Sequence, residues 1–360
     1  MFHVRRNSST INLLDHEDDV DTGSTSYAPL ASQPDLEASA RPSASSSTLA
    51  EEREEQNAVY RRQVSFAVKA SVTVNLLLFF VKGSAWYLTH SYAIFSSLVD
   101  STVDLVNQLV LFFAERNMAM PSERFPAGKT RLEPVAIIIG AVLMCTLSLN
   151  VMRLASEGLY DGFAGRGKPT LEVTPLTQGI LITATTLKVG LFFMCNRLRK
   201  VSGTAMALAE DHRNDVISNM AAIVTSSFAG AYPKVWWLDP VGALVISMYI
   251  IWCWVTIGQE QVNFVVGEKG DDDIHEEVGA LASAHHPELQ VDQLRVYHIG
   301  RHYLVELEVV MPPETPLRIV HDVSLDLQTK IEQVPDIERA FVHVDYESRE
   351  YLEHKEPRLL

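Results

Sequence analysis

Two stretches of this 360-residue chain, SSLVDSTVDLVNQ and ALAEDHRNDVISN, carry the residues best placed to do chemistry. Each contains Asp-x-x-x-Asp: Asp100 and Asp104 in the first, Asp211 and Asp215 in the second. On a helix, residues i and i+4 share a face with Cβ atoms about 5–6 Å apart. Two like charges so held repel, and the arrangement is unfavourable unless protons or a cation neutralise it. A divalent cation with oxygen ligands is the natural partner. All-oxygen sets suit harder ions such as Mn²⁺, Mg²⁺ or Fe²⁺, whereas Zn²⁺ sites more often recruit His or Cys. Asn107, Gln108 and Asn219 are within reach as further amide oxygens, with helix–helix hydrogen bonding as their competing role. His212 adjoins Asp211 but leaves the helix about 100° further round, which is expected to take it off this face.

The elements that carry these residues are apolar runs of membrane-spanning length separated by short polar connections. Six are expected, at roughly 66–88, 91–114, 134–156, 176–197, 204–230 and 240–260. The second is interrupted by Asp100, Asp104, Asn107 and Gln108. The fifth is interrupted by Glu210, Asp211, His212, Arg213, Asp215 and Asn219, and a hydropathy scan is expected to score it weakly. Ionisable groups inside a spanning helix are costly, so they point to a functional site. The alternative is that they only pair with neighbouring bases, for which Lys82, Lys188 and Arg213 are available.

Flanking bases set the orientation. Arg61 and Arg62 precede the first run; Arg116, Arg124, Lys129 and Arg131 lie between the second and third; Arg197, Arg199 and Lys200 lie between the fourth and fifth. The opposite side has no base in THSYA and only Lys234 in the fifth connection, although Arg166 and Lys168 depart from the trend. Both termini are therefore expected in the cytosol. With helices 2 and 5 antiparallel and a rise of about 1.5 Å per residue, Asp215 falls at the depth of Asp100. Asp211 falls at the depth of Asp104, close to the midplane of a core about 30 Å thick.

Residues 1–59 hold 11 acids and 4 bases, are rich in Ser and Pro, and are expected to form a disordered cytosolic tail. They contain no apolar core of signal-peptide length. Residues 60–266 are expected to form a six-helix transmembrane domain. Residues 267–350 read as an acidic α+β unit in the order αββαβ, a small split-βαβ, ferredoxin-like sheet covered by helices on one face. In it Val305, Leu307 and Val309 alternate with Glu306 and Glu308, as in a half-buried strand. Residues 351–360 are a C-terminal tail. The formal charge of −15 argues against nucleic acid as a partner. Cys145, Cys195 and Cys253 lie in apolar runs without metal-ligand spacing and read as packing residues.

Taken together, SLVDSTVDL, RFPAGKTRLEPVAIII, AEDHRNDVISN and QVPDIERAFVHVDYE resemble the cation diffusion facilitator family, the metal tolerance proteins, over about residues 60–350. The paired Asp-x-x-x-Asp is similar to the manganese-type subgroup, since zinc members typically carry His-x-x-x-Asp at one or both places. The short connection NRLRKVSG, with no histidine-rich insertion, points the same way. The resemblance implies a homodimer in the lipid bilayer that exports Mn²⁺, or Fe²⁺ or Zn²⁺, from cytosol into an organelle such as a vacuole, endosome or Golgi, or out of the cell, in exchange for protons. The metal is cargo, and no cofactor or enzymatic step is implied. It also suggests metal ligands in the soluble domain, for which His321, His343 and Asp345 are candidates; an exposed polar strand face is the competing reading. An intramembrane aspartyl protease is the reading from another class, since two membrane carboxylates can share a proton and activate water. Its Gly-x-Gly-Asp signature does not occur. A passive channel lacks a repeat or filter-like loop here.

Overall fold

The computed structural model describes residues 44–89, 92–118, 123–165, 175–232 and 235–348. Six long helices come first: α1 (Ala44–Thr89), α2 (Tyr92–Met118), α3 (Leu132–Phe163), α4 (Pro175–Asn196), α5 (Gly203–Ala231) and α6 (Leu238–Val266). Five of them, all but α5, are long and apolar enough to cross a membrane. α5 has the length, at 29 residues, but its buried acids and His212 lower its hydropathy, as expected. It packs against α4 and α6 and also touches α2 and α3. Its first half, with Ala205, Ala207 and Ala209 all buried, lets backbones approach closely, as small residues do between membrane helices.

The bundle draws polar residues inward and presents apolar ones outward. Ser71, Asn75, Asn107, Gln108, Lys188 and His212 are buried, whereas Phe80, Val142, Phe193, Met248 and Trp252 are exposed. That inversion suits hydrocarbon rather than water as solvent. Two apolar clusters hold the helices together. One joins Val64, Ala67 and Val68 of α1 to Leu111, Ile137, Cys195 and Leu208. The other joins Ala141 and Met144 of α3 to Ile250 and Trp254 of α6.

α1 begins earlier than the apolar pattern indicates. Residues 44–59, expected as disordered tail, are helical and continuous with the first span. LAEEREEQNAVYRRQ lacks an apolar face but is made almost wholly of good helix formers, and propensity extends the helix once the span has nucleated it. Residues 1–43 of that tail, the tail at 351–360, and Arg166, Lys168 and Lys234 lie outside the described residues.

α6 ends at Gly267, whose φ of +91° is the left-handed cap that glycine favours. Beyond it lie α7 (Asp272–Ser283), β1 (Gln290–Ile299), β2 (His302–Val310), α8 (Leu317–Glu332) and β3 (Ile337–Asp345), the expected αββαβ order. β1 and β2 are antiparallel, β2 and β3 parallel, and the sheet order is β1-β2-β3. β2 and β3 are direct parallel neighbours joined through α8, and the sheet has three strands among the described residues. Val305, Leu307 and Val309 of β2 and Ala340 of β3 face α7 and α8, meeting Val278, Ala282, Leu327 and Ile331 in one core.

Candidate metal centre

α2 and α5 bring the aspartates into one buried region, and α4 adds a base. Lys188 is the only charged residue of α4. Its Nζ donates to Asp104 Oδ2 at 2.7 Å and also to Asp215 Oδ2. Its side chain is 6% exposed, so this ammonium–carboxylate contact is shielded from water. Asp211 has no exposed surface, and its neighbouring charges are Asp215, Asp104 and Lys188. Asp100 lies at the edge of the group, with Asp104, Lys82 and Lys188 as charged neighbours. Lys82 itself donates to Ser101 Oγ at 2.7 Å and to the Ser97 carbonyl at 3.2 Å.

The region holds many buried polar atoms without hydrogen-bond partners. Both oxygens of Asp211 and both amide atoms of Asn107, Gln108 and Asn214 are in this condition. Gln108 lies beside Asp211, yet no well-formed hydrogen bond closes between them. Each such group costs about 1–3 kcal/mol to bury unsatisfied. Several in the helices that carry the aspartates, one of them Gln108 beside Asp211, are the mark of a place built for a polar guest. The close approach of α3 makes room for one of them. A Cβ on Gly140 would sit 2.4 Å from Asn107 Oδ1, so a larger residue there must displace that amide.

The structure brings Asp104, Asp211 and Asp215 together with Asp100 at the edge, and the expected pairing of Asp100 with Asp215 is not among its contacts. Asp104 is matched with Asp215 through Lys188, not with Asp211 alone, and Asp100 is not matched with Asp215. Counting rise per residue from helix ends carries no information on how one helix slides against another, and a shift of one turn is about 5.4 Å. His212 also departs from expectation. Among the described residues, Asp211, His212 and Asp215 form a group whose ligand atoms lie within 4.8 Å of one another. Adjacent side chains on a helix can still bring their tips this close, and Ser71 of α1 lies 2.6 Å from its Nε2. Nδ1 is buried and unpartnered. Asn107 and Gln108 join the buried set, while Asn219 is only half-buried.

The soluble-domain candidates are not brought together in this way. Core residues Ala340, Val342 and Val344 point from β3 toward the helices. His343, alternating with them, takes the opposite face of the sheet, and Asp345 shares that side. His321 lies on the exposed side of α8 beside Asp322, at 3.3 Å. The covering helix thus separates His321 from the face that His343 occupies.

Glu133, which spacing did not single out, fixes the helix that carries Asp211 and Asp215. Its Oε1 accepts from Thr204 N at 2.7 Å, Thr204 Oγ1 at 3.0 Å and Ser202 Oγ at 3.1 Å. Ser202 in turn caps α5 by accepting from Ala205 N at 3.3 Å. A carboxylate of α3 thereby satisfies orphan donors and complements the dipole at the N-terminus of α5. The signal was present in RFPAGKTRLEPVAIII, but its partner lies 71 residues away in sequence.

Residues 68–263 match the cation efflux transmembrane domain, and residues 271–347 match the cation efflux protein cytoplasmic domain. The chain belongs to the cation diffusion facilitator family. Metal tolerance protein 5 of Oryza sativa subsp. japonica is 34% identical over 309 residues, covering 84% of this chain and 72% of that protein. Metal tolerance protein 11 of Arabidopsis thaliana is 32% identical over 304 residues, covering 84% and 76%. Metal tolerance protein 4 of Oryza sativa subsp. japonica is 34% identical over 305 residues, covering 84% and 75%. As a cation diffusion facilitator the chain is a multi-pass membrane protein of a cation-efflux family and not an enzyme. Both halves of the family architecture, six-helix bundle and cytoplasmic α+β domain, are present.

Proposed function

We propose that this chain exports a divalent metal cation, Mn²⁺ foremost, by binding it among Asp104, Asp211 and Asp215, with Asp100 at the entrance to the group. The observation that supports this best is the Asp211 carboxylate, buried with both oxygens unpartnered and close to Asp215, Asp104 and Gln108. A hard cation satisfies those oxygens, and an oxygen-dominated donor set favours Mn²⁺. The likeness to metal tolerance proteins supports metal as cargo. His212, with a ring nitrogen close to Asp211 and Asp215, favours a second reading in which Zn²⁺ or Fe²⁺ is carried on the same fold.

Transport is by alternating access in exchange for protons. Clustered, poorly solvated carboxylates bind protons when the metal leaves, and the metal displaces them when it returns. The working unit is a homodimer in an organelle or cell membrane with both termini cytosolic, as the flanking bases support. Growth rescue in strains sensitive to Mn²⁺, Zn²⁺, Co²⁺ or Fe²⁺ separately tests the cargo. Rescue confined to Zn²⁺ overturns the manganese reading. Asp104→Ala is expected to lower Mn²⁺ flux into vesicles by roughly 10–100-fold or more while the protein still inserts. Flux that ignores an imposed pH gradient is incompatible with proton exchange.

A further inference from the structure

We propose that Lys188 is a tethered counter-cation that exchanges places with the transported metal, and so sets how tightly the site holds it and how fast it lets go. This rests on the reading of Asp104, Asp211 and Asp215 as the transport site. The geometry is specific. One ammonium donates to an oxygen of Asp104 on α2 and an oxygen of Asp215 on α5, and so bridges the two helices from a third. It does so from a helix with no other charge, and with almost no exposed surface. Those oxygens are the ones a metal between α2 and α5 must take. A cation ligated there and an ammonium bonded there exclude each other by both space and charge.

Charge counting gives the same picture. Asp100, Asp104, Asp211, Asp215, Lys82 and Lys188 interact with one another as a group. At formal charge, four carboxylates against two ammoniums leave two negative charges while Lys188 is in place, and three once its ammonium has made way for a divalent ion. Without Lys188 the deficit grows, the carboxylates repel one another more strongly, and a divalent ion is held more tightly. A transporter gains nothing from a site that binds tightly and does not release. The ammonium supplies a replacement for the departing metal that is already in place, on a flexible stem that swings rather than diffuses. It also keeps α2 and α5 bridged through α4 while the metal is absent.

The test compares the full-length wild type with Lys188→Met and Lys188→Arg, purified in detergent and reconstituted in vesicles. Mn²⁺ binding is measured by equilibrium dialysis and Mn²⁺ release by stopped-flow flux. Lys188→Met is expected to bind Mn²⁺ at least about tenfold more tightly, because a neighbouring positive charge has been removed. Its maximal flux is expected to fall by a similar factor. Lys188→Arg should keep the wild-type affinity to within a few-fold. Unchanged or weaker Mn²⁺ binding by well-folded Lys188→Met overturns the proposal and leaves Lys188 a structural pair. If that variant does not fold, Lys188→Gln is measured in its place; failure of both to fold assigns Lys188 to the bundle's stability and likewise overturns it. A wild type that binds no Mn²⁺, Zn²⁺ or Fe²⁺ overturns instead the transport-site reading beneath it.

Discussion

Asp211 illustrates how much a single residue can say once its surroundings are known. It carries a carboxylate with no exposed surface and no hydrogen-bond partner. Such a carboxyl destabilises the fold whether it stays ionised or must take up a proton, so Asp211→Asn is expected to raise the thermal unfolding midpoint in metal-free buffer. The same variant should lose the upward shift that added Mn²⁺ produces in the wild type, since a ligand stabilises only the state it binds. A wild-type shift that survives in Asp211→Asn would place the bound metal elsewhere. Outside the membrane, His298 makes a separate statement. Its ring lies between Phe264, at 4.3 Å, and Tyr303, at 4.6 Å, and this burial pushes its pKa below the ordinary value of 6.5. Burial, helped by Lys330, moves His285 the same way. With the folded value below the unfolded one, the unfolded chain takes up more protons as pH drops below about 6.5. Stability in this domain is full above that point and declines on acidification. Denaturant midpoints should fall between about pH 7.5 and about pH 5.5, and His298→Phe should make that fall smaller.

Among the elements, α5 depends most on help from elsewhere. Its sequence is too polar to be driven into a membrane by hydropathy alone, and its N-terminus is anchored by the Glu133 carboxylate of α3. Glu133→Ala removes the acceptor for three donors at once. The expected loss is about 1–2 kcal/mol of stability, read as a lower unfolding midpoint. Mn²⁺ flux should drop more than this loss of folded protein explains, because the helix carrying Asp211 and Asp215 is no longer pinned in register. Glu133→Gln, which keeps an acceptor oxygen, should recover part of both. An unfolding midpoint equal to that of the wild type would show that the capping contacts contribute nothing.

At the scale of the whole molecule, the β1–β2 turn meets the membrane half of the chain. Gly300 has a φ of +68°, and a Cβ there would lie 3.2 Å from the carbonyl of Thr130, just before α3. Arg301 donates to the carbonyl of Lys200 in the connection between α4 and α5. One turn of the cytoplasmic domain thus touches the connections that lead into both α3 and α5, whose ends Glu133 ties together. Gly300→Ala must adopt a left-handed conformation and crowd Thr130, a penalty of about 1–2 kcal/mol. The expected outcome is slower transport with Mn²⁺ affinity unchanged, since no ligand is touched. Equal loss of affinity and rate would mean that the domain contact shapes the site itself.

Much of this was legible in sequence because it is local. The Asp-x-x-x-Asp spacing, the apolar runs and the period-two alternation of β2 are short-range patterns, set by helix and strand geometry and by the separation of apolar from polar residues. The αββαβ order followed from the same rules. What sequence could not contain was relative placement. Lys188 was visible as a base in an apolar run, yet only the packing of α4 beside α2 and α5 puts its Nζ between Asp104 and Asp215. The return of His212 toward Asp211, the clamp from Glu133 across to Thr204 and the direct pairing of β2 with β3 have the same character. The inner end of the tail before residue 60 differs for the opposite reason: composition points to disorder where helix propensity prevails. Sequence by itself determined that acids stand in two membrane helices at one-turn spacing. Tertiary structure decided which acids share a partner, because the slide and rotation of one helix against another are settled by side chains meeting across the bundle.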